Sequence, residues 1–170
     1  MTTLVLTVIG DDRSGLVEAL SSVVARHQGN WERSRMAELA GKFAGIVLVS
    51  VPDDNAEALT ADLAPLSAEG LLDITVERGG PDRRIDGARF SLHLLGTDQP
   101  GIIREISAAL AARRVSIAEL RTETREAPMA GGMLFEADAV LEAPHGVSAD
   151  DLRAVLEELA TALMVDIDLE

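Results

Sequence analysis

Apolar and polar positions along the chain follow a pattern that occurs twice. Residues 4–9 and residues 90–95 are short, mostly apolar runs, and each run leads directly into a glycine, Gly10 or Gly96. Short apolar runs bounded by glycine predict buried β-strands. A pattern that returns in this way indicates two copies of one structural unit, so each later element is expected to have a counterpart in the other copy.

The segments that follow these two strands carry helical periodicity. Apolar residues recur there every three or four positions, which places them on one face of a helix. The positions on that face are Leu16, Leu20, Val23, Val24 and His27 in the first copy and Ile102, Ile106, Ala109, Leu110 and Arg113 in the second. Both segments therefore predict amphipathic helices that cover a sheet.

The rest of each copy predicts two strands, a second helix and a last strand. The second strand begins at Asn30 or Ser116, and the third covers residues 43–51 or 135–143, where a proline follows. Strand, helix, strand, strand, helix, strand is the order of the split βαβ, or ferredoxin-like, unit. We therefore predict an α+β fold of two tandem ferredoxin-like domains, each an antiparallel sheet with both helices on one face.

A charged segment that contains glycine and proline separates the two copies, as expected of a linker. The predicted boundaries are a first domain over residues 1–79, a linker over residues 80–87 and a second domain over residues 88–170. Helices on one face leave the other face of each sheet open. Because the strands are mostly aliphatic, that face or its edges are expected to pack against the other repeat or a second chain, which favours a homo-oligomer.

The composition excludes several classes of site and partner. The chain has no cysteine, so disulfides, thiolate nucleophiles and zinc–thiolate sites are excluded. Its net charge of -14 opposes contact with phosphates, and direct binding to DNA or RNA is not expected. The sequence has no apolar run of about eighteen residues and no signal-peptide pattern, so we expect a cytoplasmic protein without membrane contact.

The turn between the first strand and the first helix is the strongest candidate site. Both copies share the pattern Gly-x-Asp-x-x-Gly, over residues 10–15 and residues 96–101. Free N–H groups at a helix start bind a carboxylate without a basic side chain, and glycine permits close approach of the backbone. Asp12 and Asp98 would accept hydrogen bonds from the ammonium group of an amino acid, and Asn30 offers a donor and an acceptor.

A purely structural role explains the same turn. Asp12 or Ser14 would cap the helix, Pro100 would occupy a first helical position, and the glycines that end the motif would only satisfy a tight turn. The local sequence leaves the structural and the ligand-binding interpretations open.

The repeated motifs resemble the ACT domain family, whose pattern is a hydrophobic strand, Gly-x-Asp-x-x-Gly, an apolar helix and Asn-Ile or a close variant at the next strand. Residues 41–49, 120–124 and 127–131 are more narrowly similar to the tandem-ACT glycine cleavage system transcriptional repressor family. The resemblance implies an effector at the turn, often shared with a neighbouring module. Ser116 departs from the asparagine of that pattern, and Trp31 departs from its aliphatic residue.

The resemblance and the turn chemistry together define the candidate ligand site. The predicted ligand-binding residues are Asp11, Asp12, Arg13, Ser14, Gly15, Leu16 and Asn30 in the first copy and Thr97, Asp98, Gln99, Pro100, Gly101, Ile102 and Ser116 in the second.

No enzymatic site is predicted. His27, His93 and His145 are too scattered along the chain for a shared metal site, and Asp166 and Asp168 are expected on the solvent side of the last strand. The sequence also lacks a Gly-x-Ser-x-Gly elbow and a glycine-rich phosphate loop with lysine. We therefore expect no catalytic residue, no metal and no cofactor.

The family resemblance implies a non-enzymatic regulatory protein. Its effector would be glycine or another small amino acid, and it would modulate transcription through a partner activator that binds DNA. Two alternatives stay open at this point. One is a detached regulatory subunit that gives amino-acid feedback control of a metabolic enzyme, and the other is a dimerisation module without a ligand.

Overall fold

The computed structural model describes residues 1–81, 86–129 and 131–170. The described chain forms two compact units, one on each side of the segment 82–85. That segment belongs to the predicted linker, and Ala130 belongs to the repressor-like segment 127–131. Both lie outside the described residues.

Each unit contains six main elements in the predicted order. In the first unit they are β1 (Thr2–Asp11), α1 (Leu16–Arg26), β2 (Asn30–Leu39), β3 (Lys42–Val51), α2 (Ala56–Ala68) and β4 (Asp73–Arg78), with a 3-10 turn at Asp53–Asn55 before α2. In the second unit they are β5 (Gly87–Thr97), α3 (Ile102–Ala112), β6 (Ser116–Glu126), β7 (Met133–Pro144), α4 (Ala149–Leu163) and β8 (Val165–Leu169).

The two sheets have the same topology. The strand order is β2-β3-β1-β4 in the first unit and β6-β7-β5-β8 in the second. Every neighbouring pair is antiparallel. The predicted pair of ferredoxin-like domains is therefore confirmed, and the strand that precedes the Gly-x-Asp-x-x-Gly motif lies at the centre of its sheet in both units.

Each unit has its own apolar core between its sheet and its helices. Leucine and valine supply most of the first core, and Leu6, Leu20, Leu59 and Val49 are fully buried there. Alanine from β7 fills part of the second core, together with Leu94 and other aliphatic residues. None of the helices in the described ranges is long and apolar enough to cross a membrane.

The connection between the second and third strands differs between the units. β2 and β3 are joined by the two-residue turn Ala40-Gly41, and both residues have positive φ, 51° and 79°. This geometry matches the twist of an antiparallel hairpin. The corresponding connection between β6 and β7 is longer and covers residues 127–132. The second copy is therefore longer than the first at this point.

Candidate ligand site at the two β–α turns

The second glycine of each motif has a backbone conformation that other residues rarely adopt. Gly15 has φ 91° and ψ 0°, and Gly101 has φ 97° and ψ −3°. Each is the residue immediately before its helix. A Cβ atom built on either glycine would meet nothing within 4 Å. The positive φ therefore explains glycine at both positions, and the space beside each helix start is open.

The first glycine of each motif has a different role, which the sequence did not indicate. A Cβ on Gly10 would lie 2.4 Å from the carbonyl oxygen of Leu71, and a Cβ on Gly96 would lie 2.4 Å from Cγ1 of Val165. Both glycines lie inside a strand rather than in the turn, because β1 and β5 each continue one residue past them. The first glycines therefore allow close packing against the segment that begins the last strand of each unit.

No side chain caps the helices that begin at the two turns. The N-cap residues of α1 and α3 are Gly15 and Gly101, and neither helix start has a hydrogen bond from a capping side chain. The expectation that Asp12 or Ser14 caps α1 is thus wrong, because the chain enters the helix through a glycine. Pro100 precedes the N-cap and does not occupy the first helical position.

The start of α4 shows what a capped helix looks like in the same chain. The Ser148 hydroxyl accepts a hydrogen bond from the peptide N–H of Asp151 (3.1 Å), and the Asp151 carboxylate accepts one from the peptide N–H of Ser148 (3.2 Å). Bonding to Ser148 holds the pKa of Asp151 below its usual value. At the starts of α1 and α3 the first-turn N–H groups have no such partner, and they carry the partial positive charge of the helix dipole.

Backbone hydrogen bonds hold each turn against the neighbouring hairpin. The peptide N–H of Asp12 donates to the carbonyl of Gly41 at 2.9 Å, and that of Asp98 donates to the carbonyl of Met133 at 2.8 Å. The equivalent bond in both units fixes the path of the chain between strand and helix. The side chains of Asp12 and Asp98 are exposed beside the helix start.

The residue after the aspartate anchors the turn to the end of the second helix. Nη2 of Arg13 donates to the carbonyl of Gly70 at 2.8 Å, just beyond α2. Nε2 of Gln99 donates to the carbonyl of Leu163, the last residue of α4. Arg13 and Gln99, both predicted as ligand-binding residues, therefore make equivalent structural contacts.

The other predicted residues of the turn differ in what they offer a ligand. Asp11 forms an ion pair with Lys42, which lowers the pKa of the Asp11 carboxyl, chiefly through their hydrogen bond. Leu16 and Ile102 have side chains buried in the cores, so only their peptide groups are available. Ser14 is exposed, and Thr97 is the last residue of β5.

The structure does not bring Asn30 or Ser116 to the turn of its own unit. Asn30 pairs with Ser50, which pairs with Thr3 at the start of β1, whereas Asp11 lies at the end of the same strand. Eight residues of β-strand separate these two ends by roughly 26 Å. Ser116 is placed in the same way in the second sheet. One amino acid cannot contact the turn and the second-strand start of a single unit.

Near Asn30 the side chains satisfy one another. The Asn30 amide and the Ser50 hydroxyl both donate to Oε1 of Glu32, at 3.2 Å and 2.5 Å. Both hydrogen bonds lower the pKa of Glu32, and the one from Ser50 has the larger effect. Trp31 pairs with Val49, which pairs with Leu4 near the start of β1, and it packs against the core, so it lies away from the turn before α1.

A cluster around His93 lies on the face of the second sheet away from the helices. Nδ1 of His93 is 2.8 Å from Asp138, and Nε2 is 3.6 Å from Glu136. The hydrogen bond with Asp138 raises the pKa of His93, and the charges of Asp138, Glu136 and Asp168 act in the same direction against the effect of burial. Among the described residues no group of three or more His, Cys, Asp or Glu is arranged to hold a metal ion.

We expect His93→Gln to destabilise the second unit more in acid than in weak base. The folded pKa of His93 is raised, so its contribution to the free energy of unfolding is fully present below the unfolded pKa and is lost as pH rises through the folded pKa. Urea unfolding of the wild type and the variant at about pH 5.5 and about pH 8 measures this difference. An equal loss of unfolding free energy at both pH values would contradict a raised pKa of His93 in the folded protein.

We expect Gly101→Val to lower the free energy of unfolding by about 1–3 kcal/mol through backbone strain, and to weaken ligand binding at the second turn. No steric clash contributes, because the Cβ position is open. Gly146→Val is the matched control, since Gly146 has φ +90°, equally open space and no place in either turn. Both variants should lose similar stability in urea unfolding, and only Gly101→Val should lose affinity. Equal affinity in the two variants would show that the second turn is not a site.

Comparison with known proteins agrees with this architecture. The model of the ACT domain matches residues 2–77. The glycine cleavage system transcriptional repressor of Escherichia coli (strain K12) is 27% identical over 162 residues, which cover 94% of this chain and 85% of that protein. An unknown protein from Galdieria sulphuraria is 34% identical, with a TM-score of 0.88 over 99% of this chain and 97% of its own. A crystal structure provisionally named as a glycine cleavage system transcriptional repressor shows the same fold, with 22% identity and a TM-score of 0.72 over 99% and 96% of the two chains.

Proposed function

The ACT domain model matches the first unit and the second unit repeats its topology, and from this similarity we propose that the chain is a non-enzymatic regulator that binds a small amino acid at its β–α turns. The effector is glycine or an amino acid of similar size. Its binding alters the contact of this protein with a transcription activator that binds DNA, in the cytoplasm. The proposal rests on the family and on the relative named as a transcriptional repressor.

One observation carries the ligand part of the proposal. Two helices begin at equivalent turns with a left-handed glycine, no side-chain cap and open space beside the glycine. First-turn N–H groups in such a setting are suited to bind a carboxylate. An exposed aspartate, Asp12 or Asp98, lies on the same turn and provides a partner for an ammonium group. An α-amino acid carries both groups on one carbon.

Asn30 and Ser116, at the starts of β2 and β6, cannot reach the β–α turn of their own unit. Because Asn30 and Ser116 lie at the far end of their own sheets, a ligand at one turn reaches such a residue only if another unit supplies it. The Asn30 amide offers two N–H donors and a carbonyl acceptor, whereas the Ser116 hydroxyl has a single O–H to donate. We propose that a ligand at such a turn is completed by Asn30 of a second copy of the chain.

Capture of partner proteins tests the regulatory part of the proposal. Tagged wild-type protein is mixed with extract of its native cell, with and without glycine, and the captured proteins are identified. We expect a DNA-binding regulator whose captured amount changes about fivefold or more with glycine, within the usual range for coupled sites. The matched variant is Gly15→Ala with Gly101→Ala, in which the response to glycine should be lost.

Two results would contradict the regulatory proposal. Capture of a biosynthetic enzyme in place of a DNA-binding regulator would favour a detached feedback subunit. Capture of a DNA-binding regulator in amounts that no amino acid changes would favour a scaffold without a ligand.

A further inference from the structure

The open faces of the two sheets, which point away from the helices, have opposite character. In the first unit this face carries Val5, Ile9, Ile46 and Leu48, with Thr7 opposite Ile46 and Ala44 opposite Ile9. Ile9 is 48% exposed and Ile46 is 56% exposed. We call these four residues the apolar face. Aliphatic side chains placed together on a sheet surface favour burial against a partner.

The corresponding face of the second unit is charged and internally paired. His93 is paired with Asp138, Arg89 with Glu142 and Arg125 with Glu136, and all six side chains lie on strands of that sheet. Burying such pairs would cost desolvation free energy without a compensating apolar contact. The charged face therefore gives less reason to expect a covering partner on the second unit than on the first.

Opposite charges lie on the two sides of the apolar face. One row across the sheet runs from Arg33 on β2, through Leu48 and Val5, to Glu77 on β4. Within the described residues neither Arg33 nor Glu77 makes an ion pair. Asp73 adds a second exposed carboxylate on the β4 side. The row through Leu48 and Val5 thus has an aliphatic centre, a positive charge at its β2 end and a negative charge at its β4 end.

This charge pattern is complementary to itself under one arrangement of two copies. If two such faces stack about a two-fold axis that runs along the strands, β2 of each copy lies over β4 of the other. Arg33 then approaches Glu77 of the second copy, and the aliphatic centres meet. A two-fold axis across the strands would instead place Arg33 over its own equivalent. Charge therefore selects the first arrangement.

We propose that the apolar face is a self-association surface, on which a second copy of this chain packs its own apolar face about a two-fold axis along the strands. The contact is isologous, so each dimer contains two Arg33–Glu77 pairs at its margins. The apolar face lies on β1 and β3 of the first unit, and the proposal does not depend on any ligand.

Sedimentation velocity of the full chain over about a hundredfold range of concentration tests the proposal. We expect a reversible dimer for the wild type. Ile46→Glu should raise the dissociation constant about thirtyfold or more, because it places a charge in the centre of the contact. Leu120→Glu is the matched control, since Leu120 is an aliphatic strand residue of the second unit that is 47% exposed, and it should leave the dimer intact. A wild type that stays monomeric, or equal dissociation by both variants, would overturn the proposal.

Charge reversal identifies the symmetry. Arg33→Glu alone and Glu77→Arg alone should each raise the dissociation constant about tenfold, because two attractive pairs become repulsive. The double variant, with both reversals in one chain, should restore dimerisation, since each pair is re-formed with inverted charge. If the double variant is no tighter than either single variant, the two side chains do not meet and the proposed axis is wrong.

Discussion

Leu6→Ala should lower the free energy of unfolding of the first unit by about 3 kcal/mol. Leu6 lies on the central strand β1 with 0% of its surface exposed, and it is among the largest fully buried side chains of the described residues. The substitution removes several methyl and methylene groups from a core made almost entirely of aliphatic side chains, and helices on one side and strands on the other limit collapse into the cavity. Urea unfolding of the full chain measures the loss.

Leu120→Ala is the control for this effect. Leu120 is also an aliphatic residue on a strand, but 47% of it is exposed, so its substitution should change the free energy of unfolding by less than about 0.5 kcal/mol. A loss at Leu6 no larger than that at Leu120 would contradict the position of β1 at the centre of a packed sheet.

The purified protein alone should show no detectable binding to DNA at physiological salt. The chain has 15 Lys and Arg against 29 Asp and Glu. Affinity for a duplex depends largely on Lys and Arg side chains that neutralise phosphates. The surplus of acidic residues in this chain repels the phosphates on average. The apolar faces of α1 and α3 are buried against their sheets, so neither helix is free to enter a groove with that face.

A gel-shift assay decides this point. The protein is added to promoter DNA of genes for the metabolism of its effector, with and without the partner activator. We expect a shifted complex only when the activator is present. A sequence-specific complex at submicromolar concentration, formed by this protein without the activator, would contradict regulation through a partner.

The fold could be predicted from the sequence because the spacing of apolar residues reflects which positions are buried. The apolar positions Leu16, Leu20, Val23 and Val24 predicted one helical face, and all four are buried along α1. Repetition then fixed the order of the elements in the second copy. Both signals are local, so they are visible without knowledge of strand register.

The parts of the site that depend on register or on backbone conformation could not be predicted in this way. The sequence placed Asn30 near the turn because it matches a family motif, yet β1 and β2 are long enough to separate the two positions within one unit. It also did not distinguish Gly10, which allows close packing, from Gly15, which supplies a positive φ. The pairing of His93 with Asp138 was equally invisible, because residues far apart in sequence meet only through the β5–β7 register.

A thermal-unfolding screen of the free amino acids tests the central claim most directly. A ligand at about a hundred times its dissociation constant adds roughly 2.7 kcal/mol to the free energy of unfolding. We predict that glycine or another small amino acid stabilises the wild type, that Gly15→Ala combined with Gly101→Ala removes the response, and that Gly146→Ala, with the same backbone strain elsewhere, keeps it. If no amino acid stabilises the wild type at millimolar concentration, or if the double variant responds as the wild type does, the two turns are not the site of an amino-acid effector.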